Sequence, residues 1–346
     1  MTISFINKVA ECTMRMDLNV DKKGEWDWGA GVALYGLRRV YEQTGNKDIY
    51  LYIKRFVDYH MEHSELAYTV NTTAPLLSVI LLYKETGESK YLSFCESFTS
   101  WLMKDAPRTE NRELEHTVIN SKFSDEIWVD TIFMAGVFLV EMGCLTKNDR
   151  YVEEGIFQAT SHMERLMDEQ TKLLYHGYSY ATRDHLSGCL WGRGNSWAVV
   201  SAAEIAELLQ SELGARFNGQ MEKLLRMIAA QAEGLCAVQA DNGLWHTILN
   251  DPASYCESSA SAGIAYGLSK GARLGYLAGE AAAAAAKGCE AVKAKISRDG
   301  VLTDTSIGTG IHKNLDGYRL VPKDKIMPWG QGLALLMLSE MDRQRM

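Results

Sequence analysis

The stretch Trp191-Gly192-Arg193-Gly194-Asn195-Ser196-Trp197 sets two indoles, a guanidinium and two glycines ahead of an apolar helical pattern, Ala198, Val199, Val200, Ala203, Ile205, Ala206, Leu208 and Leu209. A helix that only fills a core needs no such prelude. Glycines open backbone conformations closed to other residues, Asn195 or Ser196 can cap the helix, and the indoles are placed to flank Arg193. The composition suits a ligand that carries both a carboxylate and an apolar face. The same residues would also serve as a tryptophan-rich anchor holding a helix end in the core.

The pattern is not unique to this stretch. Trp26-Asp27-Trp28-Gly29-Ala30-Gly31 precedes the apolar run Val32 to Tyr41, Asn71-Thr72-Thr73-Ala74-Pro75 precedes Leu76 to Tyr83, and Trp128-Val129-Asp130 leads into Thr131 to Met142. Glu257-Ser258-Ser259-Ala260-Ser261-Ala262-Gly263 introduces Ile264 to Leu268, and Pro328-Trp329-Gly330-Gln331-Gly332 introduces Leu333 to Met341. The spacing leaves room for a helical hairpin between successive starts. Helix ends repeat too: Tyr41-Glu42-Gln43-Thr44-Gly45 and Tyr83-Lys84-Glu85-Thr86-Gly87 both place glycine where a left-handed cap is favoured. Each is followed by a more charged helix, Asp48 to Tyr59 and Ser89 to Trp101. Six apolar inner helices alternating with six amphipathic outer ones describe an all-α chain, an (α/α)6 barrel. Its parallel inner helices would bring every polar-aromatic start to one pole, where helix N-termini favour an anion. A helical-repeat solenoid is the competing architecture.

The 346 residues carry a net charge of −8 with 47% hydrophobic content, and no basic cluster appears. Nucleic acid and anionic membranes need concentrated positive charge and are excluded as partners. The N-terminal residues Met1 to Asp17 mix charged and apolar types, unlike a signal peptide, and no later run could span a bilayer. Seven scattered cysteines without CxxC spacing fit reduced thiols in a cytoplasm. No linker divides the chain, so residues 1–346 read as one domain. The run Ala281 to Ala286 is simply helix-favouring. Phosphate loops, HExxH and nucleophile-elbow motifs are absent, and neither metal nor redox cofactor is indicated.

Asp130 is the leading candidate for chemistry. On a helix from Glu126 to Met142 its face carries Ile127, Phe133, Met134 and Val137, and an apolar setting should raise a carboxyl pKa toward that of a general acid. An N-cap role at Thr131 is the plainer reading. His176, in Leu173-Leu174-Tyr175-His176-Gly177-Tyr178, lies outside any helical period and could donate to a ligand or tune a carboxylate. His246 and Glu257 carry the same ambiguity and rank lower.

Four ordered motifs resemble a known family: Ile127-Trp128-Val129-Asp130-Thr131-Ile132-Phe133-Met134, Tyr175-His176-Gly177, Trp191 to Trp197, and Asp251-Pro252-Ala253-Ser254-Tyr255-Cys256-Glu257-Ser258-Ser259-Ala260. They are similar to those of the unsaturated rhamnogalacturonyl hydrolases of glycoside hydrolase family 105, relatives of the unsaturated glucuronyl hydrolases of family 88. The resemblance spans Trp26 to Trp329 and implies an (α/α)6 barrel. It also implies a reaction outside the two-carboxylate glycosidase scheme. The enol-ether double bond of a 4,5-unsaturated uronic acid is hydrated, with a proton to C4 and water to C5, and the glycosidic link then falls apart.

By this resemblance Asp130 is the catalytic acid and base, and Trp191, Arg193 and Trp197 line the uronate subsite with His176 nearby. Trp28 falls where many members carry tyrosine, and Asn71 where many carry aspartate, so a second carboxylate is missing there. The implied partner is a short unsaturated uronyl oligosaccharide; oligomeric state is not readable. A sugar epimerase or isomerase on the same barrel, an unsaturated glucuronyl hydrolase, and an inactive carbohydrate-binding relative stay open as alternatives.

Overall fold

The computed structural model describes residues 5–16, 18, 26–63 and 65–344. In chain order the elements are α1 Phe5–Arg15, α2 Trp28–Thr44, α3 Lys47–His63, α4 Leu76–Thr86, α5 Ser89–Lys104, β1 Thr117–Val118, β2 Ser121–Lys122, β3 Glu126–Trp128, α6 Phe138–Thr146, α7 Asp149–Leu166, β4 Gly177–Ser179, α8 Gly192–Leu208, α9 Asn218–Ala237, α10 Ser258–Arg273, α11 Glu280–Ala294, α12 Leu315–Arg319 and α13 Pro328–Arg343. A 3-10 turn, Asn71–Thr73, precedes α4, and a π-helical turn, Ile132–Val137, runs into α6.

Helices α2, α4, α6, α8, α10 and α13 close into an inner ring in that order, with α13 returning onto α2. The inner helices are apolar nearly all round because they are covered on all sides: α8 buries every residue from Gly192 to Ala206, and α13 every residue from Pro328 to Glu340. The seam between α13 and α2 is a backbone contact. A Cβ on Gly36 would stand 2.5 Å from the Gly332 carbonyl oxygen, and one on Gly332 would collide with the Val32 carbonyl. Outer helices bury one stripe only, as in α3 with Ile49, Ile53, Val57 and His60.

The barrel is therefore (α/α)6, with one twist in its connectivity. Helices α3, α5, α7, α9 and α11 each pack on the inner helix before them, whereas the outer partner of α13 is α1. The glycine stops are as expected: Gly45 and Gly87 adopt φ of 65° and 70°, and their N–H groups donate to Tyr41 and Tyr83.

One expected helix start is a strand. Glu126–Trp128 pairs antiparallel with β4, setting Glu126 against Ser179, Ile127 against Tyr178 and Trp128 against Gly177. Helical periodicity therefore does not reach back past Thr131. An extended backbone turns Ile127 into the core and lays Trp128 on the His116 ring, with centroids 4.6 Å apart.

Opposite the polar helix starts, the C-terminal halves of the inner helices are tied by ion pairs centred on the buried Arg38, Glu141, Glu204, Lys270 and Glu340. Arg38 on α2 bonds Glu42 at 2.7 Å and Glu141 on α6 at 2.5 Å, and Lys84 on α4 reaches Glu141 at 3.0 Å. Arg39 pairs with Glu204 on α8, and Lys270 on α10 bonds Glu204 at 2.8 Å and Glu207 at 2.6 Å. Arg273 closes the circuit from Glu207, at 2.8 Å, to Glu340 on α13, at 2.5 Å. Every inner helix contributes. Burial opposes the charge on Glu204, but Arg39 and Lys270 hold its carboxyl far below the usual range.

Removing one partner from such a network strands the others in the interior. Glu204→Gln should lower the unfolding free energy by about 3–5 kcal/mol in urea titrations. A loss under about 1 kcal/mol would show that the ring behaves as surface bridges do.

Candidate active site

The helix starts meet at one pole, and aromatic rings join them. Trp28 at the head of α2 stacks on Trp329 at the head of α13, with centroids 4.4 Å apart, and meets Trp197 edge-on at 6.3 Å. Trp197 in turn lies 5.2 Å from Phe133 in the π-turn before α6. The Asn71–Thr73 turn is tied in by Thr73 Oγ1 donating to the Met134 carbonyl at 2.6 Å and by Trp26 Nε1 donating to the Thr72 carbonyl at 3.0 Å. Asn71 is thereby buried at this pole.

Asp130 and His176 are placed by the small sheet. Val129 N–H donates to the His176 carbonyl at 3.0 Å, extending the β3–β4 ladder by one step, so both side chains leave from adjacent strand ends. The Asp130 carbonyl accepts from Phe133 and Met134, while its carboxylate caps nothing and stays available. Its Oδ2 stands 3.4 Å from His176 Nε2, and neither atom has a hydrogen-bond partner. His176 lies flat against Trp191, with centroids 3.9 Å apart, and its Nδ1 is 2.7 Å from the Tyr318 hydroxyl.

The protonation states follow from these contacts. Burial raises the Tyr318 phenol well above its ordinary value, so it keeps its proton at neutral pH. With its proton on Nε2, a neutral imidazole presents an N–H to Asp130 and leaves Nδ1 to accept from Tyr318. Burial pulls His176 down, and it is neutral at pH 7. For Asp130 burial pushes upward, but His176, His116 and Arg193 outweigh it and the carboxyl lies below its usual value. This overturns the expected elevation: the apolar neighbours on the helix face are real, yet the groups facing the carboxylate are imidazoles and a guanidinium.

Arg193 is sandwiched as expected, but between Trp191, at 5.0 Å, and Trp329, at 5.6 Å; Trp197 is not the second plate. Its fork is also occupied. Nη1 donates to the Ser306 hydroxyl at 2.5 Å and carbonyl at 3.2 Å, and Nη2 to the Ile307 carbonyl at 2.9 Å and Thr309 Oγ1 at 3.1 Å. Nε remains without a partner. Glu257 Oε1, 3.7 Å from Nη1, balances the charge while accepting from Ser306 N–H at 2.7 Å. Burial pulls Arg193 down; Glu257 and then Asp130 oppose that pull.

The glycines beside Arg193 act by size. Gly192 and Gly194 lie within α8, where a Cβ would come 2.6 Å from the His246 carbonyl and 2.6 Å from Val129 Cγ1, respectively. Neither Asn195 nor Ser196 caps: Asn195 bridges both backbone groups of Leu174, at 2.8 Å each, and so anchors the segment that carries His176.

The pole is conspicuous for unsatisfied polar atoms. Asp27 Oδ1, Asn71 Oδ1, Asp130 Oδ2, His176 Nε2, Arg193 Nε and Trp197 Nε1 are all buried without partners. Buried polar groups are normally paired, so such a concentration marks a place built for a polar ligand.

Asp130, His176, Trp191, Arg193, Trp28, Trp197 and Asn71 are thus all at the pole. The His246 ring is engaged by the Ser254 carbonyl, 2.5 Å from its Nδ1. Glu257, ranked low from the sequence, is the counter-ion of the arginine cage. Missed entirely were His116, Tyr318 and the Ser306–Thr309 loop. The tripeptide Gly308-Thr309-Gly310 is the sequence signal for the loop.

The family model described as Glycosyl Hydrolase Family 88 matches residues 1–345. Unsaturated rhamnogalacturonyl hydrolase YesR of Bacillus subtilis is 33% identical over 341 residues, covering 97% of this chain and 94% of its own length. A solved structure described as a possible member of glycoside hydrolase family 105 from Salmonella enterica superposes with a TM-score of 0.93 at 34% identity, covering 100% of this chain and 96% of that one. An unsaturated glucuronyl hydrolase from Bacillus sp. GL1 shares the fold, with a TM-score of 0.70 at 17% identity over 98% of this chain and 96% of that one.

The hydrogen-bond chain makes a prediction that needs no substrate. In protein labelled with 15N histidine, His176 should show a neutral ring protonated at Nε2 at pH 7. Tyr318→Phe should abolish the preference, giving mixed tautomers. An unaltered spectrum in the variant would mean that Tyr318 does not set the ring.

Proposed function

Because the chain belongs to Glycosyl Hydrolase Family 88 and is a glycoside hydrolase, we propose that it removes 4,5-unsaturated galacturonic acid from the non-reducing end of short rhamnogalacturonan-derived oligosaccharides. The observation that carries this reading is the Asp130–His176 pair, unpartnered and 3.4 Å apart, beside an arginine caged between indoles. The inner-helix N-termini favour the uronate carboxylate at this pole, Arg193 supplies its charge and free Nε, and the indoles cover the apolar ring faces.

In the reaction we propose, Asp130 in its acid form gives a proton to C4. The resulting carboxylate takes a proton from the water that adds at C5, which restores the acid. The hemiketal formed at C5 opens and the leaving sugar departs. His176 holds the carboxyl group in place through its Nε2–H. Asn71 contributes an amide where many relatives have a carboxylate, leaving Asp130 as the single acid and base. A cytoplasmic site of action is supported by the cysteines, all of them free.

The test is optical. Incubation with unsaturated galacturonyl-rhamnose should erase the ultraviolet absorbance of the conjugated enol ether; a persistent absorbance with this sugar and with unsaturated glucuronyl sugars would refute the reading. Asp130→Asn should retain binding and lose turnover by about a thousandfold or more. Arg193→Lys, which cannot reproduce a planar fork, should raise KM about tenfold while kcat changes less. An unchanged KM would remove Arg193 from the binding role.

A further inference from the structure

The carboxylate of Asp251 is held in a definite place by its own turn. Its Oδ1 accepts from Ala253 N–H at 3.1 Å, and the Asp251 carbonyl accepts from Ser254 N–H at 3.0 Å and from the Ser254 hydroxyl at 2.7 Å. The turn is fixed to the start of α8, because Leu249 N–H donates to the Leu190 carbonyl and Gly192 N–H to the Thr247 carbonyl, both at 2.9 Å. One carboxylate oxygen serves the turn; the other, Oδ2, accepts from Arg319 Nε on α12 at 2.7 Å.

Helix α12 depends on side chains for its place. The segment that carries it is closed at its base, where Ile307 N–H donates to the Pro322 carbonyl at 2.9 Å, but no backbone–backbone hydrogen bond joins residues 308–321 to another part of the described chain. Leu315 and Leu320, at the two ends of α12, are exposed, so apolar packing holds those ends weakly. Two consecutive side chains reach inward instead. Tyr318 is fully buried and meets His176 Nδ1, with Ser187 as a second neighbour of its hydroxyl; Arg319, 35% exposed, meets Asp251, 13% exposed.

A shift of α12 would carry the Tyr318 phenol with it. His176 Nδ1 lies 2.7 Å from the Tyr318 oxygen, and His176 Nε2 lies 3.4 Å from Asp130 Oδ2. A displacement of about 1 Å breaks the first contact and leaves the ring free to take the other tautomer. We propose that Asp251 and Arg319 are positioning residues for the hydration step: their ion pair docks α12 and so fixes Tyr318, the His176 tautomer and the presentation of the Asp130 carboxyl. The inference rests on the hydrolase reading above. The Asp251 turn is built on the same backbone that carries Trp191, against which the His176 ring lies, so ring and phenol are referred to one support. Ion pairs this exposed add little to global stability, whereas a misplaced acid costs up to about a hundredfold in rate. The pair should therefore act on kcat and leave Tm nearly unchanged.

The experiment combines turnover of unsaturated galacturonyl-rhamnose with the 15N histidine spectrum. Loss of absorbance with the unmodified enzyme tests the hydrolase reading by itself; without it that reading fails, and this proposal with it. Given turnover, Asp251→Asn, which keeps an acceptor for Ala253, and Arg319→Ala should each lower kcat about tenfold, with KM changed less than about twofold and Tm by no more than about 2 °C. The double variant should be no slower than either single one. In a Tyr318→Phe background Arg319→Ala should cost nothing further, because both act through the one hydroxyl. In each single variant the His176 signal should move from the Nε2-protonated form toward mixed tautomers, and Arg319→Lys should recover part of the lost kcat. An unchanged kcat, a loss confined to KM, losses that add in the double variant, or a larger fall in Tm would overturn the proposal. So would a slower enzyme with an unaltered His176 tautomer, which would make the pair a structural tie only.

Discussion

The ring of buried charges at the C-terminal ends of the inner helices is the constraint on which the barrel depends. Close glycine contacts such as Gly36 on Gly332 set the register of one pair of inner helices, and the ion pairs extend it round the ring. An ion pair between Arg39 and Glu204, or Lys270 and Glu207, is satisfied at one height only. Helix α2 is tied to α6 and α8, α10 to α8, and α13 to the same circuit through Arg273. The cations also sit where parallel helices accumulate negative partial charge. With axial register set at that end, the opposite end can leave polar groups unpaired without the ring opening.

That division separates stability from function along the barrel axis. Polar groups at the ring are paired with one another; Asp27, Asn71, Asp130 and His176 at the other pole each leave an atom unpaired. Arg193 belongs to both worlds. Its terminal nitrogens fasten the Ser306–Thr309 segment, so the residue that holds the loop also holds the rim of the site. A guanidinium already restrained by five acceptors and two indoles has little freedom left to lose when an anion arrives, which favours binding.

Much of this was legible in the sequence because it is local. Helix starts, glycine caps at Gly45 and Gly87, and the closeness of Asp130, His176 and Arg193 in function all leave marks within short motifs. The rest arises from segments distant in the chain. Nothing near Trp191 tells that Trp329 supplies the second face of the arginine sandwich, or that Tyr318 holds His176. Glu126–Trp128 looks helical because the strand it pairs with lies beyond two intervening helices, α6 and α7. The Asp130 pKa was misjudged for the same reason: helix periodicity reveals the apolar neighbours on its own element and hides the imidazoles facing it. Helix α1 is not legible as the sixth outer helix because its inner partner, α13, lies far along the chain.

An ionised Asp130 at neutral pH and a role as proton donor are reconciled by the substrate proposed for it. A uronate drawn to Arg193 adds a second negative charge to a site that holds one. At an effective dielectric near 20 and a separation of about 5 Å, the repulsion is roughly 3 kcal/mol, or about two pKa units. Pairing with the uronate also withdraws part of the support that Arg193 lends to the Asp130 charge. Both effects act in the same direction and raise the Asp130 pKa from its depressed value when a uronate is bound. The acid would then exist only when a uronate is bound beside it, with the proton taken from solvent as the sugar enters. A neutral sugar in the same place would leave Asp130 ionised, so the charge that selects the substrate would also arm the catalyst.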